Sequence, residues 1–299
     1  MRDVPSVRIL MATYNGDRWL QEQLDSVTAQ EGVSVSIVAS DDASTDRTPS
    51  LLEAESRRGT LTILPPSPTR FGNANRNFMR LIRDVAVDEI EYFAFSDQDD
   101  IWLPDKLRRA VDVLSETGSD GYSSDVTAFW PDGRRKRLGK ARPKRAFDHL
   151  FESGGPGCTF VLRRSAFVKL QAWVLANFDA LQTVKVHDWL IYSYAREQGW
   201  KWTIDDRSTL LYRQHERNEA GANVGWNAAR SRLAELLGGQ YRRDVLAIGA
   251  ATGSRAGPLT RLARLRPADR LYLAFHVGQY RRALRDRLVL AAAFLAVSR

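Results

Sequence analysis

Hydrophobic and polar positions change period repeatedly along the first hundred residues. Val7 to Ala12 is an apolar run broken only by Arg8, as in a strand buried on both faces, and residues 18–30 follow with Leu20, Leu24 and Val27 at helical spacing. The couple recurs. Residues 33–40 are β-branched and strand-like, 48–58 helical, 61–64 a strand, 73–85 a helix with Phe78, Leu81, Ile82 and Val85 on one face, and 90–95 a fourth strand. Pro104 opens another helix in its first turn, where a missing N–H costs least. This alternation predicts an α/β fold, a mainly parallel sheet flanked by helices, with ligands gathering beyond the carboxyl ends of the strands. Residues 121–210 are less regular, with strands expected at 126–130, 159–163 and 201–204 and a helix at 188–198. From about 226 the pattern is helical, interrupted by Gly and Pro near 249–258 and at 267. The expected organisation is one domain over 1–220, in halves 1–120 and 121–220, and a helical extension over 221–299.

Composition narrows the class. A chain of 299 residues with 43% hydrophobic positions can build a proper core. Its one cysteine, Cys158, excludes an intramolecular disulfide and a thiolate zinc site, which fits a reducing compartment, the cytosol. No signal peptide is expected ahead of Val7. The longest apolar run, Leu288 to Val297, holds ten residues, against about twenty for a bilayer span. Charge is unevenly spread: residues 207–299 carry 17 arginines, no lysine and 6 acids, so that the net +8 leaves −3 for everything before. A near-neutral front and a basic tail predict chemistry in the first and attachment to an anionic partner, nucleic acid or membrane surface, in the second.

Three acidic clusters fall at the ends of predicted elements. Ser40 to Asp46, with the Asp41–Asp42 pair, follows the second strand, where a helix-capping turn or a nucleotide site are both chemically reasonable. Phe95-Ser96-Asp97-Gln98-Asp99-Asp100 follows the fourth strand. Three carboxylates in four residues repel one another, and a hard divalent cation such as Mn²⁺ or Mg²⁺ is the simple remedy, with Asp99 as its ligand. His187-Asp188-Trp189 opens a helix; Asp188 either caps it or takes a proton from a substrate hydroxyl. Neither a G-x-x-x-x-G-K-[ST] loop nor a G-x-G-x-x-G turn is present, so phosphate binding has to rest on metal and side chains.

Together these segments resemble the family 2 glycosyltransferases of the GT-A fold, particularly the bacterial rhamnosyltransferase-like branch. The matching pieces are Met11-Ala12-Thr13-Tyr14-Asn15-Gly16, Ser40 to Asp46, Phe71-Gly72 through Asn77, Ser96 to Trp102 with Pro104-Asp105-Lys106, Gly157-Cys158-Thr159, His187-Asp188-Trp189 and Tyr212-Arg213-Gln214-His215. The resemblance implies an inverting transferase that moves a sugar, L-rhamnose from dTDP-rhamnose or another UDP- or dTDP-sugar, to a hydroxyl of a cell-surface polysaccharide or lipid-linked glycan. It implies a nucleotide-sugar-binding half over 1–120 and an acceptor half over 121–220. By position, Thr13 and Asn15 line the nucleotide pocket, Asp42 bonds the pyrimidine base while Asp41 braces the turn, and Arg76 or Asn77 reaches the base or diphosphate. Asp97 serves the ribose, Asp99 the divalent metal with His215 beside it or on the diphosphate, and Asp188 is the general base.

Two departures stand out. Relatives carry Asp-Gly-Ser where this chain has Asp42-Ala43-Ser44, and alanine resists positive φ, so an altered turn is expected. The Gln-x-x-Arg-Trp signature of processive members is replaced by Tyr212-Arg213-Gln214-His215, which points to one sugar per encounter. The basic tail, with Arg281, Arg282, Arg285 and Arg287 among Leu284, Leu288, Val289, Leu290, Phe294 and Leu295, is expected either against the anionic cytoplasmic leaflet or packed on the core or on a second subunit of a homodimer. A nucleic-acid-binding role fits poorly, because no reading module matches and the acidic clusters repel phosphates. A glycoside hydrolase with paired carboxylates is disfavoured by the fold.

Overall fold

The computed structural model describes residues 4–67, 70–215 and 238–296. They divide into two compact units, residues 1–141, 155–188 and 200–217 in the first and 142–154, 189–199 and 218–299 in the second. Two segments from within the first 220 residues therefore belong with the C-terminal helices, which a single cut near 220 does not foresee. The part of the expected extension at 221–237, including Trp226, lies outside the described residues.

The first unit is built on a seven-stranded sheet. Its elements in chain order begin β1 (Ser6–Thr13), α1 (Leu20–Thr28), β2 (Ser34–Asp41), α2 (Thr48–Arg57), β3 (Leu61–Ile63), α3 (Ala74–Asp84) and β4 (Tyr92–Ser96), close to the alternation read from the sequence. After β5 (Ile101–Trp102) and α4 (Lys106–Thr117) come β6 (Gly121–Ser124), β7 (Val126–Phe129) and β8 (Arg135–Leu138), with β9 (Val161–Arg163), β10 (Trp202–Asp205) and β11 (Leu210–Arg213) later. The sheet runs β10-β6-β9-β4-β1-β2-β3 and a smaller one β5-β11-β7-β8. In the large sheet β9 is antiparallel to both its neighbours and the other pairings are parallel. β6, β9 and β10 extend the same sheet as β1–β4, so the two halves expected of 1–220 share one layer. Burial explains the unbroken apolar strands: Val7, Ile9, Leu10 and Met11 of β1 and Phe93, Ala94 and Phe95 of β4 are fully enclosed.

Where pattern reading was thin, specific packing decides. β6 reads Gly-Tyr-Ser-Ser, without β-branched residues; it forms because the Trp202 ring lies where a Cβ on Gly121 would stand, 2.4 Å away, and the indole N–H donates to Ser123 Oγ at 2.9 Å. The 18-residue helix between β9 and the 187–197 helix, Arg164–Leu181, is not foreseen. Its stripe is blurred by exposed Val168 and Leu175, although Phe167, Leu170 and Val174 are buried, with Phe167 stacked 3.8 Å from Phe93.

The second unit has an ionic centre. In order, α5 (Asp148–Phe151), α6 (Arg164–Leu181, of the first unit), α7 (His187–Glu197, whose first two residues fall in the first unit), α8 (Gln240–Ala251), α9 (Gly257–Arg264), α10 (Pro267–Phe275) and α11 (Leu284–Ala296) complete the helices described. Pro258 and Pro267 sit in the first turns of α9 and α10, the breakers acting as helix starts. Asp148 is completely buried and takes Arg196 Nη1 at 2.7 Å, with Arg282 Nε at 3.7 Å and the Tyr192 hydroxyl at 3.3 Å. Glu152 takes the backbone amide of Arg282 at 2.6 Å and its Nε at 3.1 Å. These pairs recruit 142–154 and 189–199 into this unit. Removing one partner of a buried ion pair costs about 3–5 kcal/mol because a charge is left enclosed. Asp148→Ala should therefore lower the unfolding free energy by about that much, read as a shift of the urea midpoint.

Candidate active site

The site forms where β1, β2 and β4 end. Parallel register sets Thr13 beside Asp41 and Met11 beside Ser96, so three loops leave the sheet from one edge. The first two are laced together. Asp41 accepts Thr13 Oγ1 at 2.9 Å, Ser44 Oγ at 2.6 Å and the Ser44 amide at 2.8 Å, and so braces the turn. The Asn15 amide donates to Ser44 Oγ at 2.8 Å, and Asn15 Oδ1 accepts the Thr45 amide at 2.8 Å. Asn15 (φ 46°) and Ala43 (φ 57°) are both left-handed. Asparagine tolerates that region, whereas alanine pays about 1–2 kcal/mol for it. Ala43 nevertheless takes the left-handed conformation, held there by the surrounding bonds, where a glycine would sit without strain.

Asp42 is buried beneath these loops. Its amide donates to the Thr13 carbonyl at 2.9 Å, and its carboxylate accepts the amides of Phe71 and, at 2.8 Å, Gly72. Arg70, half exposed, stands 3.9 Å from the same carboxylate with its guanidinium 4.0 Å over the Tyr14 ring. Asn73 then caps α3, its side chain accepting the Arg76 amide at 2.9 Å. The two α3 candidates differ. Asn77 is buried, its amide donating to the carbonyls of Ser40 at 2.8 Å and Thr13 at 3.4 Å, so it clasps the ends of β1 and β2. Arg76 is half-buried and donates from Nε to the Gln182 carbonyl at 3.0 Å and from Nη1 to that of Phe71 at 3.2 Å.

The loop after β4 carries the carboxylates. Gln98 grips Tyr14 in both directions, accepting its amide at 2.7 Å and donating to its carbonyl at 2.8 Å. Gly16 leaves room for this grip, since a Cβ there would come within 2.3 Å of Gln98 Oε1 and displace that side chain. Oδ2 of Asp99 lies 2.8 Å from Nε2 of His215, whose ring stacks on Trp19 at 4.0 Å. Antiparallel pairing of β11 with β5, Leu211 opposite Ile101, brings that histidine back over the loop. Arg213 reinforces the return: its Nε donates to the Asp99 carbonyl at 2.7 Å, its amide to Asp100 Oδ1 at 3.1 Å, and its guanidinium pairs with Glu22.

Asp97, Asp100 and Cys158 each place a ligand atom within 4.8 Å of the others. They are not equivalent as donors. Burial, then the neighbouring Asp99 and Asp97 charges, push the Asp100 carboxyl well above the usual carboxylate range, and burial with Asp100 beside it raises the Cys158 thiol. Both favour the protonated form. Asp97, Asp99 and His215 remain as oxygen and imidazole donors, a set that suits Mn²⁺ or Mg²⁺. Three carboxylates crowded into this loop leave a surplus of negative charge that a divalent cation would offset.

The segment that leads to Asp188 is tied to α3. Asn75 Nδ2 donates to the Val184 carbonyl at 2.8 Å, and Arg76 reaches Gln182, so the segment before α7 is fastened to α3. The His187 ring lies 4.1 Å from that of Phe78, and a Cβ on Gly157 would come within 2.2 Å of its Nε2. Gly157 adjoins Cys158. A continuous chain of contacts within the first unit thus joins Asp42, through Phe71, Gly72 and α3, to residues 181–188, and from there through Gly157 and Cys158 to the Asp97–Asp99 loop. Burial pulls His187 down to about 3, so its imidazole is neutral beside Asp188. Sequence reading did not single out Gln98, Arg213, Trp19, Arg70 or His187. Each adjoins a residue that it did single out, or lies within one of the matching segments or the first helix, and only the fold shows what each one grips.

The family model described as Glycosyl transferase family 2 matches residues 8–184. The chain is 43% identical over 243 residues, 81% of its length and 84% of the relative's, to the dTDP-rhamnosyl transferase RfbG of Shigella flexneri. Among solved structures it superposes on the mannosyltransferase PcManGT from Pyrobaculum calidifontis, in complex with GDP-Man and Mn²⁺, with a TM-score of 0.56 at 16% identity, covering 99% of this chain and 86% of that one. It also superposes on S. aureus TarS 1–349 in complex with UDP-GlcNAc, with a TM-score of 0.55 at 14% identity, covering 97% and 90%. These likenesses bear out the expected GT-A fold.

Two outcomes are expected. Ala43→Gly should stabilise the chain by about 1 kcal/mol in urea denaturation, by relieving left-handed alanine. The folded chain refuses a proton on His187 until about pH 3, whereas an unfolded histidine accepts it near 6.5. Protonation therefore favours the unfolded chain, and this part of the stability is lost as pH falls below 6.5. His187→Leu should show a smaller drop in urea midpoint between pH 8 and pH 5 than the parent chain.

Proposed function

Because the chain belongs to the family 2 glycosyltransferases, in their rhamnosyltransferase-like branch, we propose that it is an inverting enzyme moving L-rhamnose from dTDP-rhamnose to a hydroxyl of a cell-surface polysaccharide or lipid-linked glycan. The sugar and base are supported by the 43% identity to a dTDP-rhamnosyl transferase over most of both chains. The single observation that carries the mechanism is the Asp99–His215 pair, 2.8 Å apart at the carboxyl edge of β4.

Asp99 and His215, with Asp97 nearby, would hold the divalent metal. When bound, that ion offsets the charge of the departing nucleoside diphosphate. Thr13 and Asn15 line the donor pocket above the Asp41 brace, and Asp42 serves it by fixing the Phe71–Gly72 turn at the pocket wall, where the base is read. Asp97 faces the ribose. Arg76 is the better diphosphate contact of the α3 pair, since Asn77 is enclosed and engaged with the strand ends. Arg70, over Tyr14 at the same turn, is a further cation for the donor.

Asp188 accepts the proton of the acceptor hydroxyl as its oxygen attacks the anomeric carbon from the side opposite the diphosphate. Burial keeps the adjoining His187 neutral, so that imidazole adds no positive charge to weaken the carboxylate as a base. Positioning of the two substrates lowers much of the remaining barrier. The enzyme works in the cytoplasm, on the membrane's inner face where a lipid-linked acceptor is reached; among the described residues no helix is long and apolar enough to cross a bilayer.

Two variants separate the roles. Asp188→Asn should lose about 10²–10⁴-fold in transfer rate while calorimetry still detects dTDP-rhamnose binding. Asp99→Ala should lose the Mn²⁺-dependent part of that binding. Undiminished transfer by Asp188→Asn would remove the base, and binding indifferent to Mn²⁺ in the parent chain would remove the metal. A thermal-shift panel of nucleotide sugars with Mn²⁺ identifies the donor as the one that raises the melting temperature most.

A further inference from the structure

Five of the ten exposed large apolar side chains among the described residues, Leu271, Phe275, Leu284, Leu288 and Leu295, fall on α10 and α11, so this exposure is concentrated rather than scattered. They follow helical spacing. Leu271 and Phe275 are one turn apart on α10, and Leu284, Leu288 and Leu295 share a face of α11. The opposite sides are apolar too: Leu273 of α10 and Leu290, Ala293 and Phe294 of α11 are buried. The two helices pack on each other. A helix that is hydrophobic on both sides and yet leaves one side open is a helix whose second apolar environment is not supplied by the described residues. Phe275 is 82% and Leu284 67% exposed, too much for a merely imperfect core.

Charge identifies the partner. Residues 238–296 carry 11 arginines against 3 acids. One of those acids, Asp269, is already paired with Arg261 and Arg264. Arg281 and Arg282, which the sequence offered as membrane ligands, are turned inward onto Glu152 and Asp148. Arg285 beside Leu284, and Arg266 ahead of Pro267, are exposed instead. A two-fold contact between copies would set this positive surface against itself, whereas an anionic bilayer offers both an apolar layer and opposite charge.

We infer that the exposed apolar faces of α10 and α11 dock on an anionic lipid bilayer, with Phe275 and Leu288 entering the headgroup–acyl boundary and arginines such as Arg285 and Arg266 meeting the headgroups. This deepens the membrane-face reading above but does not rest on the transferase chemistry, since vesicle binding is measured without donor or acceptor. Interfacial helices of this kind gain affinity from buried apolar area plus attraction to anionic lipid.

The test is flotation of the full chain with vesicles of phosphatidylcholine alone or with about 30% phosphatidylglycerol, at low and high salt. The parent chain should float with the anionic vesicles, less so at high salt, and Phe275→Ser/Leu288→Ser should reduce the bound fraction about tenfold or more. Both positions are exposed, and an unchanged melting temperature confirms folding of the variant. Failure to float with anionic vesicles, equal flotation with neutral ones, or equal flotation of the double variant would each overturn the inference. Sedimentation showing a dimer that the double variant dissociates would assign the faces to a second copy instead.

Discussion

Carboxylates crowded at the end of one buried strand must be reconciled with each other before the rest of the first unit can close. Asp97, Asp99 and Asp100 leave β4 within four residues, and the chain treats each differently. Asp100 is enclosed, held toward its neutral form by burial and its neighbours, and accepts the Arg213 amide. Asp99 meets His215 and gives its carbonyl to Arg213. Asp97 stays partly open. The returning strand β11 and the residues just after it are therefore fixed to the acidic loop at three points, and pairing within the small sheet β5-β11-β7-β8 brings Arg213 there. Gln98, between the two outer carboxylates, ties the same loop to Tyr14 and hence to the loop after β1. Repulsion, hydrogen bonding and topology converge on one edge of the sheet, the edge where open α/β sheets bind ligands.

The division of labour among the other polar residues follows from depth. Asp41 and Asn77 resemble ligand-binding groups in sequence, but their partners are the strand ends and turns of the protein itself. Asp42 lies between the two classes, holding Phe71 and Gly72 by their amides while standing beneath the pocket. Ala43 shows how firmly this turn is specified: the bonds from Asp41, Asn15 and Thr45 keep a left-handed conformation that alanine would not choose.

Much of this was legible in the sequence. The alternation of strand and helix through β4 was readable because buried parallel strands leave almost continuous apolar runs, and Asp99 and His215, which the fold brings into contact, were marked by their places at element ends. The features that escaped depend on contacts distant in sequence. β6 needs a glycine only because Trp202 fills the space above it. The Arg164–Leu181 helix hides its period behind exposed apolar residues. The C-terminal charge run misleads at two positions: Arg281 and Arg282 look like surface cations until Asp148 and Glu152, some 130 residues earlier, are placed against them. Composition reports the charge of a segment, and only packing reports which charges face outward.

The account stands most directly on Asp99 and His215 acting as one metal site. Pulsed electron paramagnetic resonance of the chain loaded with Mn²⁺ and dTDP reads the nitrogen bonded to the ion. The account predicts a directly coordinated imidazole nitrogen in the parent chain that vanishes in His215→Gln, with Mn²⁺ itself lost in Asp99→Ala. Tightly bound Mn²⁺ without nitrogen coupling, or with coupling that persists in His215→Gln, would contradict it.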